Sequence, residues 1–261
     1  MTAAADSASS TLSPQESPQR SPTRIAVLAS GGGSNLQALI DHFAGPGASA
    51  GTIVYVASDK ASAGALARAR QSGITTGVVQ VPADDEALVA QLMNAGAELL
   101  VLAGYLKLIP AAVVQTFRGR LLNVHPALLP AFGGPGMYGQ RIHAAVLEHG
   151  ATVTGVTVHF VDEHYDRGPI VAQWPVPVLP ADTVASLAAR VLRIEHRLLP
   201  LCAAAVASGA IVLGDDNRVH GHLPVPVNMA THDWRFSVAP DGADDASTSA
   251  FGADLARLFP R

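Results

Sequence analysis

The stretch "AVLASGGGSNLQAL", Ala26–Leu39, passes from an apolar run through three consecutive glycines into a helical pattern. Adjacent glycines weaken any regular element, so they mark a loop. A loop after the first strand of a parallel sheet lies at the carboxyl edge, where doubly wound folds bind ligands. The helix that begins near Asn35 would aim its free amides and positive dipole end at that loop. Two readings follow. One is a cradle for phosphate, with Ser34 and Asn35 adding short polar side chains. The other is a tight strand-to-helix turn with Ser34 as N-cap and no ligand. The stretch is not a dinucleotide fingerprint, because Leu36 stands where the third glycine would be. No lysine follows the glycines, so it is not a P-loop either. A phosphate held here would be a monophosphate.

Outward from this stretch, short β-rich runs alternate with helical ones. Strands are expected over Arg24–Ala29, Thr52–Ala57, Thr76–Val81, Glu98–Ala103 and Leu121–Val124. Helices are expected over Asn35–Phe43, Ala63–Ser72, Asp84–Asn94 and Pro110–Phe117, the last with proline in its first turn. Near-continuous apolar strands suit a parallel sheet covered on both faces. The alternation predicts an α/β, doubly wound, mostly parallel sheet. Beyond Leu129 the rhythm breaks. A Gly/Pro loop spans Leu129–Gly139, a helix His143–His149, and two strands, Thr152–Val161 and Ile170–Val178, could pair. A long helix covers Thr183–Ser208. A small hairpin, Ile211–Leu213 with Arg218–Gly221, completes a C-terminal antiparallel extension. Residues 1–22 are rich in Ser, Pro and Ala and read as a disordered tail. From Leu223 onward no clear element appears until Phe251–Phe259.

Composition narrows the function. The chain has 261 residues, is 49% apolar and carries a formal net charge of −4. No polybasic run points to nucleic acid or a membrane surface. The single cysteine, Cys202, excludes an intramolecular disulfide framework and a CxxC metal site, and reads as core. No apolar run approaches the roughly 18–20 residues that span a bilayer. No secretory signal pattern opens the chain, so a cytoplasmic protein is expected.

A second constellation lies in "LLNVHPALLPAF", Leu121–Phe132. Asn123 and His125, two apart on a strand, face the same side. The pair could donate two hydrogen bonds to one oxygen and stabilise an oxyanion, or it could simply satisfy a turn. The loop "HFVDEHYDRGP", His159–Pro169, carries Asp162, Glu163 and Asp166. A carboxylate beside His125 would raise its pKa and make it a better donor. Alternatively these acids solvate a hairpin turn, with Gly168 supplying the bend. His159 alternates with apolar residues and reads as packed.

Together "LASGGGSNLQAL", "LAGYLKLIP", "LLNVHPALLPAF", "VTVHFVDEHYDRGPIVAQ" and "RIEHRLLP", in that order, resemble the phosphoribosylglycinamide formyltransferase family over about Arg24–His222. The resemblance implies a Rossmann-like formyltransferase fold over 23–222, with 223–261 as a tail of unmatched role. It implies formyl transfer from 10-formyltetrahydrofolate, as co-substrate, to the amine of glycinamide ribonucleotide in de novo purine biosynthesis, with no metal. Gly33, Ser34 and Asn35 would hold the 5′-phosphate and Glu195 a ribose hydroxyl. Tyr105, Leu106, Lys107, Leu108 and Ile109, with Asn123 and Val161, would line the folate pocket. Asn123, His125 and Asp166 match the catalytic trio. The first two would stabilise the oxygen of a tetrahedral intermediate. Asp166 would keep His125 protonated and relay a proton through water. The partners implied are small molecules, with neither nucleic acid nor membrane, and the protein is a monomer or homodimer.

Three features depart from the family. Asp84 and Asp85 stand where many relatives carry an arginine near the folate. Lys107 replaces an arginine found in some. The loop "GGPGMYGQRIH" carries an insertion. Methionyl-tRNA formyltransferase and formyltetrahydrofolate hydrolase share the Asn-x-His and Asp features. The first normally adds a basic tRNA-binding domain, whereas this tail carries Asp241, Asp244 and Asp245. The second usually has a different N-terminal regulatory domain. A catalytically dead nucleotide-binding module would not need the intact trio.

Overall fold

The computed structural model describes residues 21–80 and 85–223. The tails expected at 1–22 and 223–261 lie almost wholly outside the described residues, as do Asp84 and the stretch Phe251–Phe259.

Fifteen elements follow in chain order: β1 Thr23–Leu28, α1 Ser34–Phe43, β2 Gly51–Ser58, α2 Gly64–Gln71, β3 Thr75–Val78, α3 Asp85–Asn94, β4 Leu99–Leu102, α4 Ala111–Thr116, β5 Leu121–His125, α5 Gln140–Glu148, β6 Val153–Phe160, β7 Ile170–Pro177, α6 Val184–Ser208, β8 Ile211–Leu213 and β9 Val219–Gly221. Seven strands form one sheet in the order β3-β2-β1-β4-β5-β6-β7, and β8 and β9 form a separate hairpin. The pairs from β3 to β5 are parallel. β6 is antiparallel to both β5 and β7. The expected doubly wound sheet with its antiparallel extension is therefore present.

The reason lies in the strand sequences. All four residues of β4, Leu-Leu-Val-Leu, are buried. Along β1 the side chains divide by parity: Ile25 and Val27 enter one core, Ala26 and Leu28 the other. Leu36, Leu39 and Phe43 of α1 and Leu187, Val191, Leu198 and Leu199 of α6 fill the first core. Leu88 and Leu92 of α3 and Val113, Val114 and Phe117 around α4 fill the second. A strand that feeds two cores cannot alternate apolar with polar, and this one does not. Helix α6 begins with a capping box in which the Thr183 side chain and Ser186 serve each other's backbone amides.

Several element boundaries lie one to three residues from the sequence reading, and three of them bear on the site. Pro110 is the N-cap of α4 rather than a first-turn residue. Helix α5 starts at Gln140 rather than at the expected His143, directly after the Gly/Pro loop. Ser34 is the first residue of α1; its N-cap is Gly33, with left-handed φ 77, and no side chain caps the helix. Ser34 is therefore not the N-cap that the second reading of the glycine loop names.

Candidate active site

The strand order reverses between β1 and β4, so their following loops part and leave a crevice at the carboxyl edge. Two bonds tie these loops together. Ser30 N–H donates to the Gly104 carbonyl at 3.1 Å, and Leu106 N–H donates to Ser30 Oγ at 3.0 Å.

The three opening glycines have different duties. Gly33 has positive φ, and a Cβ there would lie 2.6 Å from Ala65 Cα at the start of α2. The fold demands that glycine. Around Gly31 and Gly32, both exposed, a Cβ would meet nothing within 4 Å. Packing does not require either, and both leave bare backbone at the helix N-terminus, as an anion site needs. Asn35 is buried, and its Nδ2 donates to Glu195 Oε2 at 2.6 Å. Burial pushes the Glu195 carboxyl above its ordinary range, opposed by the Asn35 bond.

A cleft of about 660 Å³ opens along this edge. Its lining includes Glu195 of α6, Asn123, His125 and Asp166, and Tyr105–Ile109 with Val161. Leu106 and Leu108 are stranded at 47% and 52% exposure, an apolar floor suited to a flat ring. Tyr105 and Ile109 are buried beneath them. Burial and the Asp59 charge push the Tyr105 phenol up to about 12. Ser34 instead faces a second cavity, about 410 Å³, with Gln37, Arg68 and His196.

Asn123 and His125 share one face of β5, as the strand period requires. Asp166 reaches them from the β6–β7 connection, with left-handed φ 55. Its Oδ1 lies 3.6 Å from His125 Nδ1, and its Oδ2 accepts from Gly134 N–H at 2.9 Å. A Cβ at Gly133 would lie 3.2 Å from Asp166 Cβ, so the inserted loop closes tightly on the carboxylate. His125 Nε2 is 2.9 Å from the Phe132 carbonyl. A carbonyl only accepts, so Nε2 carries a proton and Nδ1 is the atom that gains or loses one.

The Asp166 charge raises the His125 pKa, as expected, but a larger opposing cause is present. Burial holds His125 below its ordinary value and outweighs the Asp166 charge and the Phe132 carbonyl, which both raise it. Glu163 and Asp162 serve the turn: Glu163 is exposed, and Asp162 Oδ1 accepts from His164 N–H at 2.8 Å.

Two residues of the cleft escaped the sequence reading. His159 lies directly across from Asn123 in the β5–β6 register. Its Nε2 is 3.2 Å from Asn123 Nδ2 and 3.8 Å from Asp166 Oδ1. His143, on α5, lines the cleft and is held below its ordinary pKa by burial and by His125. An imidazole in an otherwise apolar strand signals a buried polar group needing partners; only the strand register shows who they are.

An open, mainly parallel sheet with an amide, an imidazole and a carboxylate over a long edge cleft defines an α/β enzyme for small-molecule group transfer. Residues 23–203 match the formyl transferase family. A chloroplastic phosphoribosylglycinamide formyltransferase of Arabidopsis thaliana is 46% identical over 182 residues, 67% of this chain; the match spans 62% of that relative's length. The phosphoribosylglycinamide formyltransferase of Escherichia coli is 38% identical over 74% of this chain and 91% of its own. The crystal structure of glycinamide ribonucleotide transformylase 1 from Symbiobacterium toebii superposes with TM-score 0.72 at 39% identity, covering 80% of this chain and all of that one. The chain belongs to the formyl transferase family. Among the described residues no helix is long and apolar enough to cross a membrane.

Proposed function

We propose that this protein transfers the formyl group of 10-formyltetrahydrofolate to the amine of 5′-phosphoribosylglycinamide, a step of de novo purine (IMP) biosynthesis. One observation carries the reading: Asn123 and His125 of β5, Asp166 of the β6–β7 connection and Glu195 of α6, three segments distant in sequence, line one cleft.

The 5′-phosphate belongs on the first turn of α1, on the amides around Gly33, Ser34 and Asn35. The bare Gly31–Gly32 backbone supports this placement. Glu195, its pKa raised by burial, accepts a ribose hydroxyl beside Asn35. The folate supplies the formyl group and receives a proton on the nitrogen that carried it. Leu106 and Leu108 pack on its ring, while Tyr105, Lys107, Ile109 and Val161 shape the pocket. That two large apolar side chains stand exposed in a cleft supports an aromatic occupant.

Asn123 donates an amide hydrogen to the formyl oxygen as negative charge gathers there. The attacking amine forms a bond to the formyl carbon, the bond to the folate nitrogen breaks, and one amine proton ends on that nitrogen. His125 Nδ1 takes up the proton that Asp166 relays from the amine, donates it as a hydrogen bond to the growing negative oxygen, and then yields it to the folate nitrogen. Asp166 stabilises the imidazolium that results and passes the amine proton through water. Proximity of two bound substrates and fixed donors supplies the rate. The protein acts as a monomer or a homodimer, on small molecules alone. We place the reaction in the cytoplasm; Cys202, buried and unpaired, is compatible with a reducing compartment.

The test is direct. Mixed with 10-formyl folate and glycinamide ribonucleotide, the protein should change the folate absorbance only while ribonucleotide remains. Release of folate without ribonucleotide would make it a hydrolase, and no change with both would refute formyl transfer.

A further inference from the structure

The chemistry proposed above needs the Asn123 carboxamide to present its NH₂, not its carbonyl, to a developing negative oxygen. The two ends of a carboxamide are nearly equal in shape and opposite in polarity. Rotated by half a turn, Asn123 would set a lone pair against the oxyanion. Something on the protein side must choose.

His159 is placed to do so. It is 2% exposed, on β6, and opposite Asn123 in the antiparallel register. Its Nδ1 lies 2.7 Å from the Phe160 carbonyl. That carbonyl can only accept, so Nδ1 bears the proton. Burial opposes a second proton on the ring, and holds the imidazole below its ordinary pKa against the Phe160 carbonyl and Asp166, which raise it. With Nδ1 protonated and the ring neutral, Nε2 is a bare acceptor. It sits 3.2 Å from Asn123 Nδ2. Only the NH₂ end of Asn123 can satisfy it. One amide hydrogen is committed to His159, and the second is left for an oxygen in the cleft.

We infer that His159 is a positioning residue: through the chain Phe160 carbonyl, His159 Nδ1–H, His159 Nε2, Asn123 Nδ2–H, it fixes which end of the Asn123 carboxamide faces the reacting formyl oxygen. The inference rests on the proposed function for what Asn123 does, and on the hydrogen-bond chain alone for how it is held. Asp166 Oδ1, 3.8 Å from His159 Nε2, is beyond hydrogen-bond reach and does not compete for the site.

Two measurements test it. Long-range proton–nitrogen NMR of the unmodified protein, labelled in its histidine rings, should show His159 with Nδ1 protonated and Nε2 bare at neutral pH. A proton on Nε2 would overturn the chain. In steady-state assays, His159→Leu should lower kcat roughly 10- to 100-fold, the loss that misplacement of a reacting group brings, with both KM values within about twofold. His159→Gln, which can still accept through its amide oxygen, should recover most of that loss. In an Asn123→Ala background, His159→Leu should cost less than about twofold more, because the group it positions is gone. An equal loss in both backgrounds would make His159 merely structural and overturn the inference. If His159→Leu does not fold, the NMR result and His159→Gln decide. Should Asn123→Ala keep full turnover, the role given to Asn123 is what fails, and the NMR spectrum still decides the chain.

Discussion

The glycine loop and the cleft are built in opposite ways. At the β1–α1 loop side chains are missing: Gly31 and Gly32 face open space while Gly33 is wedged against Ala65, and the groups proposed to work there are backbone amides of contiguous residues. In the cleft the candidate groups are side chains from three segments, crowded together and buried or half-buried. Several are oriented by the backbone: Phe132 sets the His125 ring, Phe160 sets His159, and Gly134 sets Asp166. The loop should bind and the cleft should react. Mutations ought therefore to separate affinity from turnover.

The largest effect is expected in the cleft. His125→Ala should lower kcat by about 10²- to 10³-fold, the usual cost of removing such a group, with ribonucleotide affinity kept. Steady-state kinetics and calorimetric titration check both halves, and retained turnover would break the division of labour.

Asp166→Asn sharpens it. The Asp166 charge raises the His125 pKa against burial. Its removal lets that pKa fall further, so His125 holds a proton over a narrower, more acidic range. The rate deficit should widen as pH rises in a kcat profile. A deficit constant with pH contradicts the coupling.

In the loop the glycines divide. Gly33→Ala must adopt positive φ and meet the α2 backbone at 2.6 Å, so urea unfolding should show a loss of at least about 2 kcal/mol. Gly32→Ala has room, so stability should stay within roughly 0.5 kcal/mol, while the ribonucleotide KM rises. Equal stability losses would erase the distinction drawn between them.

The smallest effect is in stability against pH. Burial holds His125, His143 and His159 below the ordinary 6.5. The unfolded chain therefore binds more protons just below that value, and this share of stability is complete above it and lost as pH falls towards the folded pKa values. Tm should drop between pH 7 and 5, less steeply in His143→Gln. A Tm constant over that range would mean that these imidazoles take up protons equally in the folded and unfolded chain, against the account.

The sequence made the glycine loop legible and the cleft only partly so. The loop, its strand and its helix are local: one contiguous stretch carries the pattern, and of the two readings left open the one that named Ser34 as cap gives way to Gly33, whose left-handed turn packs against α2. Asn123 and His125 follow from the strand period. That Asp166 joins them came from the family resemblance, since its place depends on a left-handed residue and on the loop at Gly133. His159 read as core because an apolar alternation hides what lies across the next strand. The pull of Asp166 on His125 was legible, but the larger opposing effect of burial was not, because no loop acid reveals it.

The most direct measurement is a crystal structure with glycinamide ribonucleotide and a non-transferable folate analogue bound together. It should seat the phosphate on the first amides of α1 and bring the formyl position within hydrogen-bond distance of Asn123 Nδ2, with His125 Nδ1 on the same side. A phosphate bound elsewhere, or a folate whose formyl position lies remote from Asn123, would contradict the account.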